Sequence, residues 1–283
     1  MRFVFGLPLF LFAAAFTLSA QEIPEPEWTP VFQGVDYAHF EVTDPLLKVY
    51  VLRIDTQTPG ISFVTTGRCE NFKADEAETD RRTVPDFLME NDLEVAINAN
   101  FYSPFNHQTL ISRGPSDQKG LVISDGVLVS PPQIGFASFI QDQNDGLFYV
   151  RTFKPGDSLD GIRTAVSGNR ILMEGGKRVD SPDRARHPRT AVGVSPDRRT
   201  VYFVVVDGRQ AGFSIGATYN DLGAIFERLG AYEAVNLDGG GSTTMVIRDA
   251  EDQPKVLNRP VGLGPVNTLR HNGNSIGIHA NRL

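Results

Sequence analysis

The chain of 283 residues has a single cysteine, Cys69, so no disulfide can form within it. A domain built from it must hold together through its core. Cys69 lies in a polar stretch, residues 66–80, which is a poor setting for a catalytic thiol. Histidine is scarce. His39, His107, His187, His271 and His279 are scattered, with no zinc-binding spacing. No Lys/Arg block or helix-long basic stripe occurs, and the formal net charge is −7, which leaves no nucleic-acid footprint. An anionic ligand would have to meet a local cluster of arginines inside an acidic protein. The chain also lacks a Gly-x-Ser-x-Gly elbow, a Walker A loop and a His-Glu-x-x-His helix. No internal repeat recurs at a fixed period.

Glycine, by contrast, is concentrated at one informative place. Residues 233–247 read Glu-Ala-Val-Asn-Leu-Asp-Gly-Gly-Gly-Ser-Thr-Thr-Met-Val-Ile. An apolar run ends in Asp238, three glycines and Ser242 follow, and a second β-prone run begins. Three glycines exceed the needs of a tight turn. They fit a loop whose backbone N–H groups approach a ligand, with Asp238 at a strand end beside it. A structural loop with a turn-capping Asp fits the spacing equally well. The loop lies between two strands, not before a helix, so it fails the context of a dinucleotide or P-loop site.

The N-terminus resembles an export signal. Arg2 is followed by an apolar run over residues 3–18 and by Leu18-Ser19-Ala20, with cleavage expected before Gln21. The run is short for a membrane span and no lipid-anchoring cysteine follows it. Loss of residues 1–20 removes Arg2 and no acid, giving a mature charge of −8. The expectation is an exported protein, periplasmic or secreted, with no membrane span after cleavage. Residues 21–45 read as an extended, Pro-bearing arm, and residues 46–283 as the main folded domain.

Strand-like runs cover residues 46–54, 61–66, 93–99, 121–129, 135–140, 147–153, 191–194, 201–206 and 274–280. A short helix is expected over residues 85–91, capped by Thr83. The clearest helix spans residues 219–229, where Leu222, Ile225, Phe226 and Leu229 share one face. Thr218 and Asp221 form its capping box, and Gly230 fits the position after its end. Many short strands and few helices predict one α+β domain on a large mixed or antiparallel sheet.

Oxygen chemistry remains. Asp207 and Asp238 end strands, Asn98, Asn100 and Asn236 lie in similar contexts, and Arg189, Arg209 and Arg259 are candidate anion contacts. Asp221 and Thr218 are secondary candidates beside their capping role. A divalent ion such as Ca²⁺ is compatible with these oxygen ligands, though nothing in the sequence fixes one.

Asn236-Leu-Asp-Gly-Gly-Gly-Ser-Thr243 resembles the signature of the phosphodiester glycosidase family. Other blocks follow in that family's order: Asn98-Ala-Asn-Phe-Tyr102, His187-Pro-Arg-Thr-Ala-Val-Gly193, Val206-Asp-Gly-Arg209 and Arg259-Pro-Val261. Ala99 and Asn100 stand where the family has two glycines, and Asp221 where it usually has Glu. The resemblance implies hydrolysis of a sugar-1-phosphodiester, such as one of N-acetylglucosamine, at the anomeric C–O bond. It implies Asp238 as first candidate for the catalytic carboxylate and Asp207 as second. Arg189 is the implied phosphate clamp, with Arg209 or Arg259 beside it. Gly239, Gly240, Gly241 and Ser242 would supply N–H and hydroxyl donors, and Asn98, Asn100 and Asn236 would meet sugar hydroxyls or a metal. An α-glycosidase of unphosphorylated polysaccharide and a non-catalytic glycan-binding module are the alternatives.

Overall fold

Residues Val201 to Val206 are all buried, on both faces of one strand. Successive side chains point to opposite sides of a sheet, so such a strand needs a core above and below it. The structure, a computed structural model describing residues 18–105, 110–262 and 268–283, provides both. Val201, Phe203 and Val205 enter one hydrophobic cluster; Tyr202, Val204 and Val206 enter another. Residues 1–17 of the expected export signal lie outside the described residues.

That strand, Thr200–Val206, is central in an eight-stranded sheet. In sheet order the strands are Thr29–Phe32, Val35–Thr43, Leu46–Asp55, Thr200–Val206, Arg189–Val194, Glu233–Asn236, Arg170–Glu174 and Lys177–Arg178. Every neighbouring pair is antiparallel. Residues 21–45, read from the sequence as an extended arm, thus contribute two strands here, and the nine-residue Val35–Thr43 pairs along its whole length with Leu46–Asp55.

Over one face lie two five-stranded antiparallel sheets. One is centred on Ile162–Gly168 and Ala137–Asp142, the other on Val95–Asn98 and Ser275–His279. Phe139, Phe148 and Val166 from the first, and Ile97, Met245 and Ile276 from the second, pack with Val192, Phe203 and Val235 of the large sheet. The opposite face is covered by the helix Tyr219–Arg228, through Leu222, Ile225 and Phe226. This helix begins with the expected reciprocal cap: Asp221 N donates to Thr218 Oγ1 at 3.1 Å, and Thr218 N to Asp221 Oδ2 at 2.8 Å. A shorter helix, Val84–Glu90, capped by Thr83, packs on the second five-stranded sheet. A three-stranded sheet completes the fold. It is a mainly β, antiparallel α+β domain. No helix among the described residues is long and apolar enough to cross a membrane.

Candidate active site

Register brings the sequence motifs together. Arg189 pairs with Val206, and Ala191 with Asn236. The start of strand Arg189–Val194 therefore lies beside the ends of Thr200–Val206 and Glu233–Asn236. Asp207 and Asp238 follow those ends, so all three motif residues gather at one end of these interior strands of the large sheet. Beyond Asp238 the chain makes a 3₁₀ turn, Gly240–Ser242, and enters strand Met245–Arg248 of a different sheet. The two runs flanking the glycines are thus not a hairpin.

Asn98 fixes this junction. Its Nδ2 donates to Asp238 O at 2.6 Å, while its Oδ1 accepts from Thr190 Oγ1 at 2.7 Å and Thr244 N at 3.1 Å. Asp238 N donates to Ala99 O at 2.8 Å. The glycines are needed for close approach. Gly240 has φ +61°, and a Cβ on Gly241 would stand 2.3 Å from Gly262 O.

The loop forms one wall of an open cleft of about 420 Å³. Asp238 faces it, with Gly239 N donating to its Oδ1 at 2.9 Å and the Ser242 hydroxyl bonded to it. Burial pushes the Asp238 carboxyl up to about 6, against the opposing pull of Ser242, Arg270 and the Gly239 amide. Tyr102 is held neutral beside it, chiefly by burial and then by the Asp238 charge. At neutral pH Asp238 is a carboxylate of raised basicity.

Three arginines line the same cleft. Arg189, 5% exposed, donates to Ala217 O and Ala185 O at 3.1 Å each, and stacks at 4.1 Å on the Tyr219 ring. Arg209 Nη2 meets His187 Nδ1 at 3.0 Å. A guanidinium only donates, so the His187 Nδ1 lone pair accepts and its ring proton sits on Nε2. Burial, then the charges of Arg189 and Arg209, lower the His187 pKa and keep it neutral. Arg270 Nη1 reaches Ser242 Oγ at 3.4 Å. Among the described residues none of the three arginines is ion-paired with a carboxylate. The cleft therefore holds a concentrated positive charge whose natural complement is an anion.

Other sequence candidates lie elsewhere. Asp207 is 1% exposed and outside the cleft. Its carboxylate accepts from Asn258 Nδ2 at 2.9 Å, Arg259 N at 2.8 Å and the Tyr50 hydroxyl. Arg259 is exposed, and its guanidinium lies over Phe213 instead of in the cleft. Asn98 and Asn100 spend their side chains internally; Asn100 Oδ1 accepts from Ser167 N and Asn274 Nδ2. Asn236 Nδ2 donates to Asn169 Oδ1 and Leu237 O. Asp221 is consumed by the cap and by Arg186, whose Nη1 donates to it at 2.6 Å. Of the glycine amides, those of Gly239 and Gly240 are already taken, by Asp238 Oδ1 and Pro188 O.

Sequence reasoning missed Asp183, Arg270, Tyr219, Phe101 and Asn169, which line the cleft with Asp238. Tyr219 could have been found, since it opens the capped helix. Asp183 and Arg270 stand in irregular segments with no pattern to mark them. Among the described residues no three His, Cys, Asp or Glu side chains converge on a metal-sized site. Asn98 Oδ1 and Asn100 Oδ1 are engaged internally, and Asn236 Oδ1 is buried outside the cleft lining, so the expected oxygen ligands do not converge on a Ca²⁺ cage.

No curated protein matches the chain. The catalytic domain of zebrafish N-acetylglucosamine-1-phosphodiester alpha-N-acetylglucosaminidase, auto-inhibited by its pro-peptide, has a similar fold. Its TM-score is 0.65 at 18% identity, over 92% of this chain and 87% of that one. A hypothetical protein from Synechocystis gives 0.60 at 14% identity over 91% of this chain, which spans 64% of that protein's length. At these identities the likeness is one of fold. Residues 91–279 match the sequence pattern of phosphodiester glycosidases, a span that includes Phe101, Asp183, Arg189, Arg209, Asp238 and Arg270. The chain belongs to the phosphodiester glycosidase family.

Proposed function

We propose that the protein hydrolyses a sugar-1-phosphodiester, of the N-acetylglucosamine-1-phosphodiester kind, at the anomeric C–O bond, releasing free sugar and a phosphomonoester. One observation carries this reading: a carboxylate of raised basicity faces a cleft shared with three arginines that, among the described residues, form no ion pair with a carboxylate.

The chemistry suits these groups. A phosphomonoester leaves readily with the electron pair of the broken C–O bond, so protonation by a strong acid is less needed than for an alcohol. Arg189, Arg209 and Arg270 hold the phosphate and the charge it gains. Asp238 supplies the negative charge at the anomeric carbon. If it attacks directly, a glycosyl-enzyme forms and water later releases the sugar with retention. If it takes a proton from water, the sugar leaves inverted. The first-formed anomer, read by NMR, separates the two.

The test is a panel of sugar-1-phosphodiesters and aryl glycosides given to purified protein. Turnover of the diesters with release of free sugar is expected. Turnover of aryl glycosides alone would move the protein to ordinary glycoside hydrolysis, and binding without turnover would make it a glycan-binding module. Export belongs to the same proposal. Its support is Arg2, the apolar run and Leu18-Ser19-Ala20. Intact mass of protein from its native host should show a start at Gln21; a soluble cytosolic form retaining residues 1–20 would refute it.

A further inference from the structure

A second pocket, of about 320 Å³, adjoins the cleft, with Asn169 on the rim of both. Its size is that of a small-ligand site. Its lining combines the apolar Phe136, Ile171 and Val179 with the cation Arg170. Two contacts tie it to the cleft. Phe136 meets Phe101 edge to face with centroids 6.3 Å apart. Arg170 Cζ lies 5.6 Å from the centroid of Tyr219, the ring that also supports Arg189 at 4.1 Å. Asn169 Nδ2 holds the Tyr219 hydroxyl at 3.1 Å. The second pocket thus continues from the Arg189 side of the cleft.

Arg170 lacks an ion-pair partner among the described residues, and its buried Nε has no hydrogen-bond partner there. A guanidinium beside a half-buried aromatic and aliphatic wall is the pairing that receives a sugar ring bearing an anion. The ring face stacks on the aromatic and the anion meets the fork. Ile134, next to Gly135 of the pocket rim, is 83% exposed and extends the apolar margin outward.

We infer that this pocket is the aglycone subsite, and that it selects a phosphodiester whose leaving group is itself an acidic sugar, carrying a carboxylate or a second phosphate. The inference rests on the proposed phosphodiester chemistry for the word aglycone; the binding of an acidic sugar does not. The phosphate bridges the arginines of the cleft, the hydrolysed sugar lies toward Asp238, and the acidic leaving sugar lies over Phe136 with its anion on Arg170.

The test uses two probes without a scissile bond, the methyl glycosides of glucuronic acid and of glucose, followed by ligand-observed NMR on the full-length protein. The acidic probe should bind and the neutral one much more weakly. Arg170→Gln should weaken the acidic probe about tenfold or more, the scale of one charged hydrogen bond. Thr152→Glu, at an exposed position of the pocket wall, should do so by repulsion without touching the strand core. Equal binding of both probes, no binding of either, or unchanged binding in both variants would overturn the subsite. Turnover of a methyl-capped sugar-1-phosphodiester is measured alongside. If the wild type cleaves neither it nor a diester capped by glucuronic acid while the acidic probe still binds through Arg170, the phosphodiester reading falls and the acidic-sugar site stands. If the diester is cleaved, Thr152→Glu should keep kcat on it. A parallel loss there would show that the change acts on the cleft instead of the second pocket and would overturn the assignment.

Discussion

The Arg189 guanidinium lies 4.1 Å from the centroid of Tyr219 while two of its nitrogens are held by the carbonyls of Ala217 and Ala185. Strand and helix thus meet at one cation: Arg189 opens a strand of the large sheet, and Tyr219 opens the helix packed on it. The plane of the guanidinium is set before any ligand arrives. Preorganised charge is what a transition state gaining negative charge on its leaving group requires.

Arg189→Lys keeps the charge and loses the planar fork, the stacking and one carbonyl bond. Activity on a sugar-1-phosphodiester should fall by about 10²-fold, the scale for loss of one preorganised donor. An activated aryl glycoside should be affected far less. Kinetics on both substrates decide it, and equal losses would remove the phosphate-holding role.

Asp238→Asn removes the charge and keeps the shape. It should lower kcat by roughly 10³-fold or more, as expected of an essential catalytic group. The same change should stabilise the fold at neutral pH. The folded carboxyl, at about 6, holds its proton more tightly than in the unfolded chain. Its contribution to stability is therefore present below about pH 4 and lost as pH rises through about 6, a cost of about 2–3 kcal/mol at pH 7. Thermal denaturation should show the variant melting on the order of 5 °C higher at pH 7, with the advantage gone near pH 4. A turn-capping aspartate would show neither effect.

The acid limb of the rate profile follows from the same group. Since Asp238 acts ionised, kcat/KM should fall about tenfold per pH unit below about pH 6. The residual rate of Asp238→Asn should lack that limb. A profile flat from pH 7 to 4.5 in the wild type would refute the assignment.

Asp207→Asn provides the contrast. Its carboxylate accepts from Asn258, the Arg259 amide and Tyr50. An amide in its place sets an NH₂ against a donor, at a cost of about 1–3 kcal/mol. Stability should drop while kcat stays within about threefold of wild type, since changes outside the reacting geometry need not reach the barrier. Denaturation and turnover on one preparation test it; a kcat loss like that of Asp238→Asn would restore Asp207 as a catalyst.

Gly241→Ala should fail on both counts. The added Cβ would meet Gly262 O at 2.3 Å and Arg270 Nη2 at 2.7 Å. The backbone oxygen cannot yield cheaply, so a lower melting temperature and a displaced Arg270 are expected, with kcat down at least about tenfold. A normal melting temperature and normal kcat would show that the loop has slack.

What could be read from the sequence was local. The capped helix at Thr218 and Asp221 was legible because the cap, the apolar face and Gly230 agree within a dozen residues. The strand ending at Val206 was legible as an unbroken apolar run, although only the fold shows that it is buried on both faces. Residues 29–43 were not, because their alternation is mild and their pairing with Leu46–Asp55 is a tertiary fact. Of the motif residues, Asp238 and Arg189 line the cleft. Asp207 and Arg259 share the motifs' look, but Asp207 turns into the interior and Arg259 lies exposed over Phe213, and no spacing distinguishes a carboxylate met by buried donors from one facing a cleft. Arg270 and Asp183 reach the cleft from irregular segments, where sequence carries no directional signal.

The segment bearing Asp238 leaves one sheet after Asn236 and joins another at Met245. An insertion there would have to pull two packed sheets apart, so its length is tied to the architecture. Asp183 and the Gly135 margin stand on excursions that begin and end at strands and can lengthen outward. The packing thus holds the Asp238 segment to one length and leaves the segments bearing Asp183 and Gly135 without that constraint. Grafting those excursions between family members should exchange substrate preference and leave the chemistry as it was.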